Sequence, residues 1–178
     1  CQSRKAAENA LSKASRYLEG ELLLTVNRDK THITHSWKGV KFLGVSIHST
    51  FTKIQKGKIE SIKEKVRAMT RRTVPVNLDK IIDDLNPLLM GFANYYRIAN
   101  CRTVLRKIAS WIRKRLRAIQ LKQWKKPARL HRRLRQLGYT GEFEFIRMNS
   151  WANASCPLSH YAISNDCLHK DHWLYDIG

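Results

Sequence analysis

The spacing of apolar residues along the chain predicts a mostly helical protein. In several segments, apolar residues recur every three or four positions, which is the period of one helix face. The longest such segment begins near Thr103. Its apolar positions include Ile108, Ile112 and Leu116, and Lys and Arg fill most of the others. The predicted helices cover residues 6–19, 61–72, 77–85, 87–97, 103–126 and 128–136.

Polar residues at the predicted helix ends fit known capping preferences. Ser61 and Glu64 have the spacing of a capping box. Asn77 fits the N-cap of the next helix, because its side-chain oxygen can accept from a free backbone N–H. Asn86 followed by Pro87 fits a cap and a first helical residue. The sequence therefore predicts that one helix ends at this point and another begins.

Short runs that favour strands precede the helical part. They lie at residues 22–26, 31–35 and 40–47. Gly44 interrupts the last run, as glycine often does at a bulge or a close backbone approach. Residues 51–58 are expected to form a short hairpin or loop, and the residues beyond Tyr139 to be irregular. The predicted fold is thus α+β: a small antiparallel part, a mostly α-helical bundle and an irregular C-terminal tail.

The charge of the chain points to a polyanionic partner. Its 178 residues include 34 Lys and Arg but only 14 Asp and Glu, which gives a formal net charge of +20. Self-repulsion of this size favours nucleic acid as the partner, ahead of an anionic membrane surface. No apolar run approaches the roughly 20 residues that a membrane-spanning helix needs. With nucleic acid as the favoured partner, no membrane partner is expected.

Basic residues interleaved with aromatic and amide residues are the candidates for nucleic-acid binding. Lys and Arg neutralise phosphates, and aromatic rings stack on unpaired bases. Asn94 and Arg97 share a helix face and fit either a phosphate clamp or a cap for a neighbouring loop. One of Tyr95 and Tyr96 is expected to be buried rather than exposed to RNA. The candidate residues are Asn27, Lys30, Lys41, Asn94, Tyr96, Arg97, Arg106, Arg113, Lys114, Arg117, Lys125 and Lys126.

Catalytic and metal-binding patterns are weak. The C-terminal Cys and His residues lack the paired Cys-x2-Cys spacing of a zinc site, so no metal site is predicted there. Asp83 and Asp84 point to different faces of a helix and do not form a two-metal site. The scattered cysteines indicate a reducing compartment. The C-terminal Cys and His residues are Cys156, His160, Cys167, His169 and His172.

Four segments, in the order that the family has them, resemble the C-terminal part of group II intron-encoded reverse transcriptase–maturases. Residues 3–8 and 24–31 are similar to the distal palm. The run Phe42-Leu43-Gly44-Val45 is similar to the palm strand that leads to the primer. Residues 85–97, LNPLLMGFANYYR, resemble the signature of the maturase-specific thumb, or domain X. The resemblance covers nearly the whole chain.

The resemblance implies three parts and a function for each. Residues 1–58 would be a distal palm remnant, residues 59–126 the helical thumb, and residues 127–178 a basic helix with the C-terminal tail. The thumb is expected to bind group II intron RNA and assist its splicing. In the intact parent it would also grip template–primer RNA/DNA during retrohoming, and target DNA is a further candidate partner. Asn27 and Lys30 would lie at a palm turn.

The resemblance also implies what this chain is not expected to do alone. The aspartates that hold two Mg²⁺ ions in the parent are expected upstream of Cys1. The chain is therefore expected to hold no cofactor and to be inactive as an RNA-directed DNA polymerase. The bacterial cytoplasm or an organelle is the expected location. Two other functions stay open: a non-enzymatic basic protein that coats nucleic acid, and a metal-dependent nuclease built on the tail.

Overall fold

A computed structural model of the chain describes residues 3–73, 75–97, 99–141, 156 and 158–178. These residues form two compact units, Cys1–Phe51 and Thr52–Gly178. Helices dominate and the strands are short, so the fold class is α+β, as predicted. The described α-helices are α1 Arg4–Gly20, α2 Lys56–Met69, α3 Leu78–Tyr95, α4 Arg102–Gln123, α5 Pro127–Gln136 and α6 Ser159–Ala162, and the strands are β1 Val40–Phe42, β2 Val45–Ile47 and β3 Thr52–Ile54. A short 3-10 helix, Ser36–Lys38, and a π-helical turn, Cys167–Asp171, are also formed.

A two-residue hairpin joins the strands of the first unit. β1 and β2 are antiparallel, with Val40 opposite Ile47 and Phe42 opposite Val45. Leu43 and Gly44 form the turn, and both have positive φ, 46° and 80°. Consecutive positive φ values are typical of the hairpin turn whose twist matches that of the strands. Gly44 therefore divides the predicted strand into two paired strands.

The strands predicted at residues 22–26 and 31–35 are not formed, although the structure describes both segments. The first segment instead ends α1. The N–H of Leu24 donates to the carbonyl oxygen of Leu18 at 2.9 Å, and Leu23 has a φ of +53°. This is the bonding of a helix C-terminal motif, which satisfies carbonyls of the last turn. The prediction was wrong because the leucines at positions 22–24 do not pair with another strand.

The second unit has one hydrophobic core. It combines Leu85 and Leu89 of α3 with Ile112 and Leu116 of α4. Residues of α5 and of the C-terminal segment belong to the same core. These are Leu130, Leu134, Ala162, Ile163, Leu168, Leu174 and Ile177. Residues assigned from the sequence to a thumb and to a separate tail thus pack together.

Helix α2 begins earlier than its predicted cap. It begins at Lys56, after Gln55, whose side chain makes no capping hydrogen bond. Ser61 therefore lies inside the helix, and the predicted capping box was wrong. Ile59 packs against the core and Ile62 is buried, so the core-facing stripe continues upstream of Ser61. Packing of this stripe stabilises the additional helical turn.

Helix α3 is capped as predicted but is not interrupted. The side-chain oxygen of Asn77 accepts from the N–H of Lys80 at 3.0 Å. The predicted break at Pro87 is wrong, because α3 continues through it to Tyr95. Leu85, before Pro87, and Leu89, after it, are both buried. We attribute the continuity to this packing, which compensates for the hydrogen bond that proline cannot donate.

The remaining predicted helices are confirmed within a few residues at α1, α4 and α5. Helix α5 begins at Pro127, which suits the first turn of a helix, and Gly138 follows its end with a φ of +77°. Across the described parts of the chain, none of the helices is both long enough and apolar enough to cross a membrane.

Candidate nucleic-acid interface

One long interval of the second unit contains many basic residues and no acidic ones. Between Asp84 and Glu142 the chain has fifteen Lys and Arg and no Asp or Glu. This interval contains all of α4 and α5. The ion pairs that the structure shows in this unit join residues of α2, α3 and the C-terminal segment. Neither α4 nor α5 contains an Asp or Glu of its own to balance this positive charge.

One face of α4 carries exposed cations. Arg106, Lys107 and Lys114 are all exposed. Since each helical residue turns by about 100°, these three positions fall within a sector roughly 100° wide. Ile112 and Leu116 lie on the opposite side and are buried. We call Arg106, Lys107 and Lys114 the α4 stripe. It is the arrangement that a phosphate backbone would contact without disturbing the core.

Arg117, a predicted RNA contact, lies in the interior instead. Its side chain is 2% exposed. Its Nε donates to the carbonyl oxygen of Ile163 and one terminal nitrogen to Oδ1 of Asn165, both at 2.7 Å. Burial, reinforced by the charge of Arg113, lowers the pKa of Arg117. Arg117 therefore joins α4 to the C-terminal segment and has no surface to offer a phosphate.

Arg115, which the sequence analysis did not single out, ties α4 to the end of α2. Its Nε donates to Oγ1 of Thr70 at 2.7 Å, and a terminal nitrogen donates to the Thr70 carbonyl oxygen at 2.9 Å. Its guanidinium also lies 5.3 Å from the centre of the Trp111 ring, and Arg67 of α2 lies 5.6 Å from the same ring. Burial, followed by the nearby charge of Arg67, lowers the pKa of Arg115. The two cations and the indole form a cation–π cluster.

Arg113 is half-buried and faces the tail. Its guanidinium lies 3.4 Å from Nε2 of His169, whose Nδ1 is 2.8 Å from the carbonyl oxygen of Leu174. A carbonyl only accepts, so this pairing assigns the His169 proton to Nδ1 and leaves Nε2 to accept from Arg113. Arg113 thus helps to position the tail, whereas its neighbour Lys114 is exposed.

The two tyrosines at the end of α3 differ in exposure. Tyr96 is 5% exposed and Tyr95 is 54% exposed. Burial raises the pKa of Tyr96. The expectation that one of the pair is buried is correct, but the buried ring is Tyr96, which had been placed among the nucleic-acid contacts. Asn94 and Arg97 are both exposed beside Tyr95.

The other candidate residues lie on exposed turns and ends. In the first unit, Lys30 and Lys41 are exposed, and Oδ1 of Asn27 accepts from the N–H of Lys30 at 3.0 Å. The Asn27 side chain therefore closes its own turn. In the second unit, Lys125 and Lys126 are exposed in the connection from α4 to α5. Lys125 has a φ of +61°, so the chain reverses sharply there.

Asn86 makes two hydrogen bonds that attach the C-terminal segment to α3. Nδ2 of Asn86 donates to the carbonyl oxygen of Trp173 at 2.9 Å, and its Oδ1 accepts from the N–H of Tyr175 at 2.8 Å. His172 also pairs with Asp79 in the first turn of α3. These contacts explain why Asn86 does not cap a helix. Asn86, which the sequence suggested as a helix cap, instead makes a long-range contact.

Cys156 and Cys167 of the tail take part in the core packing. Cys156 is buried, and burial raises its pKa, as it also does for Cys167. Where the chain is described, no three His, Cys, Asp or Glu side chains are arranged to hold a metal ion. Residues 142–155, which separate Gly141 from Cys156, are outside the described part of the chain.

Comparison with known proteins identifies the helical unit. Residues 59–138 match the family described as "Group II intron, maturase-specific domain". The match runs from within α2 to the end of α5, and so includes the α4 stripe and the uninterrupted α3. It does not include the C-terminal segment that completes the core. No curated protein matches the chain. The resemblance read from the sequence is confirmed for the helical unit, where residues 59–138 match the maturase-specific domain of group II introns.

Proposed function

We propose that this chain is an RNA-binding part of a group II intron maturase, and that α4 and α5 hold the folded intron RNA during splicing. The family match supports a role in group II intron splicing. The observation that carries the RNA-binding step is the α4 stripe within an interval of fifteen cations and no carboxylates. Such a surface gains free energy by releasing counterions from RNA.

The rigidity of the helical unit supports the same function. A folded RNA is recognised by its shape and backbone, which requires cations held at fixed separations. Arg106 and Lys114 are eight residues apart on one continuous helix, or about 12 Å along its axis. Arg115 and Arg117 fasten α4 to α2 and to the C-terminal segment. The stripe therefore keeps its geometry when the RNA binds.

In a protein that also carries polymerase residues, the same surface would hold template–primer during reverse transcription. Polymerisation needs metal ions held by carboxylates, and the described residues provide no such cluster. The proposed role of this chain is to hold the RNA, and the cations of α4 and α5 support that role. Many apolar side chains of the first unit are exposed, such as Leu23 at 85% and Phe42 at 59%. Their exposure supports a role for this unit as one part of a larger palm.

Competition between two RNAs tests the proposal. The full chain would be titrated with a transcribed group II intron and with a random-sequence RNA of equal length, at low and at raised salt. A maturase domain should keep its preference for the intron at raised salt, when contacts to the backbone alone have weakened. Equal affinities that fall together with salt would instead identify a protein that coats nucleic acid.

A further inference from the structure

A cleft between α2 and α3 has features that the fold does not need. Its volume is about 400 Å³, within the range of roughly 300–1,000 Å³ typical of small-ligand sites. Residues of α2 form one wall and residues around Pro87 and Gly91 of α3 form the other. The lining includes Lys58, Ser61, Lys65, Gly91, Phe92 and Tyr95.

Among the described residues that line the cleft, the charged side chains are all positive. Lys58 and Lys65 both line it and are exposed, and no carboxylate is among its lining residues. The two lysines are seven residues apart on α2, or about 10 Å along the helix axis. Glu60 of the same helix pairs with Lys63 instead. The cleft therefore presents two ammonium groups that suit phosphates.

Three aromatic rings lie at the end of the cleft. The centres of the Phe92 and Tyr96 rings are 4.7 Å apart, and those of Tyr95 and Tyr96 are 4.8 Å apart. Because Tyr96 is buried and Tyr95 is half exposed, the buried ring supports the exposed one. An aromatic ring fixed in this way loses little entropy when a base stacks on it. Base–aromatic stacking does not depend on sequence and is typical of sites for unpaired nucleotides.

Gly91 keeps the cleft open. It lies within α3, where glycine is disfavoured relative to alanine. A Cβ added at Gly91 would meet no atom within 4 Å, so packing of the described residues does not require glycine there. Any larger side chain at this position would extend into the cleft. The glycine therefore costs helix stability and in return leaves room for an occupant.

We infer that this cleft binds an unpaired nucleotide of the RNA, with its base stacked on Tyr95 and flanking phosphates at Lys58 and Lys65. The inference rests on the proposed RNA-binding function and assigns it a site for single-stranded segments. The α4 stripe would contact the backbone of any RNA, whereas the cleft would select loops, bulges or ends. The two lysines set the charge of the occupant, and the exposed ring requires a flat, unpaired base.

Binding to two simple probes tests the inference. The full chain and its variants would be titrated with single-stranded oligouridine and with an RNA duplex of the same length. Tyr95→Ala should weaken oligouridine binding by about 5- to 100-fold, the usual loss of one stacked base, and duplex binding by less than about twofold. Tyr95→Phe keeps the ring and should bind oligouridine as the unmodified chain does.

A second substitution fills the cleft without touching the ring. Gly91→Leu should weaken oligouridine binding and leave the melting temperature no lower, since leucine is the better helix former. Gly57→Leu is the matched control, because Gly57 also lies in a helix with open space around it and does not line the cleft. That variant should bind both probes normally.

The outcomes separate this inference from the proposed function. If the chain binds intron RNA but Tyr95→Ala and Gly91→Leu leave oligouridine affinity unchanged, the cleft is not a nucleotide site and only the inference fails. Equal losses for oligouridine and duplex would also overturn it, since they would indicate a general effect. If the unmodified chain does not bind intron RNA at all, the proposed function fails together with the inference.

Discussion

The guanidinium of Arg117 donates to the carbonyl oxygen of Ile163 at 2.7 Å, across 46 residues of sequence. This bond turns a cation of the most basic helix into a structural residue. It also fixes the C-terminal segment, which lies beyond the family match, against the helices within it. The cations of α4 therefore have two roles: Arg117 stabilises the interior, and those of the α4 stripe are exposed and available to RNA.

Substituting an interior cation and a surface cation of α4, each in its own variant, should separate these roles. Arg117→Met removes the hydrogen bonds to Ile163 and Asn165 and should lower the free energy of unfolding by about 2–4 kcal/mol. Lys114→Met should change it by less than about 0.5 kcal/mol, because Lys114 is exposed. Denaturant unfolding measures both. In the folded state, RNA affinity should show the reverse pattern, with only Lys114→Met weaker; a loss of affinity in folded Arg117→Met would contradict the assignment.

Asn86 should control the attachment of the C-terminal segment. Asn86→Ala removes its bonds to Trp173 and Tyr175 and should destabilise the second unit by about 1–3 kcal/mol. Hydrogen exchange at the Tyr175 amide, which donates to Asn86 in the unmodified chain, should become faster. Asn94→Ala is the control, since Asn94 is on the same helix and exposed. Unchanged exchange at Tyr175 would show that Asn86 does not hold the segment.

A lysine at position 115 should not replace the two hydrogen bonds that the Arg115 guanidinium donates to Thr70. Arg115→Lys keeps the charge but cannot make both bonds to Thr70 from a planar guanidinium. We expect a loss of about 1–2 kcal/mol in the free energy of unfolding. The exposed Arg106→Lys exchange should change it by less than about 0.5 kcal/mol. Equal stability of the two variants would mean that the Thr70 contacts contribute nothing.

The second unit should lose stability on mild acidification. Burial, and then the charge of Arg135, lowers the pKa of His131 below its ordinary value of 6.5. The unfolded chain then binds a proton at a higher pH than the folded chain, so stability is full above pH 6.5 and falls as the pH drops through it. Burial, followed by Arg117, Lys114 and Arg113, lowers the pKa of His160 in the same direction.

Melting curves between about pH 7.5 and about pH 5.5 check this expectation, since most carboxylates remain ionised in that range. The melting temperature should fall on acidification, and His131→Gln should fall less because glutamine does not titrate. An equal fall in the variant would exclude His131 as a source of the pH dependence.

The sequence predicted the helices better than the contacts between them. The 3.6-residue period located α1, α4 and α5, because a helix face depends on residues close in sequence. It failed at Pro87, where packing of Leu85 and Leu89 keeps α3 continuous. It also failed at residues 22–26, where the leucines end α1. Local preferences favoured a break and a strand, and tertiary contacts decided otherwise.

The candidate site shows the same limit. Basic residues every three or four positions on α4 indicate a charged helix, but not which cations remain exposed. Arg117 is buried because Ile163 and Asn165 cover it, and no local pattern relates residues so far apart. Tyr96 is buried and Tyr95 exposed, and the two residues are neighbours in sequence, so no local pattern separates them. From the sequence alone, only the excess of cations and the signature at residues 85–97 could be recognised directly.

The salt dependence of intron RNA binding tests the central claim most directly. The slope of log affinity against log salt would be compared for the unmodified chain, for Arg106→Gln/Lys114→Gln in the α4 stripe, and for Lys80→Gln/Lys170→Gln. The last two lysines are paired with Asp84 and Asp166, which makes this variant a control of equal charge. The stripe variant should bind more weakly with a slope smaller by about 1.5, and the control should keep its slope. Equal slopes for all three proteins would contradict the claim that α4 holds the RNA.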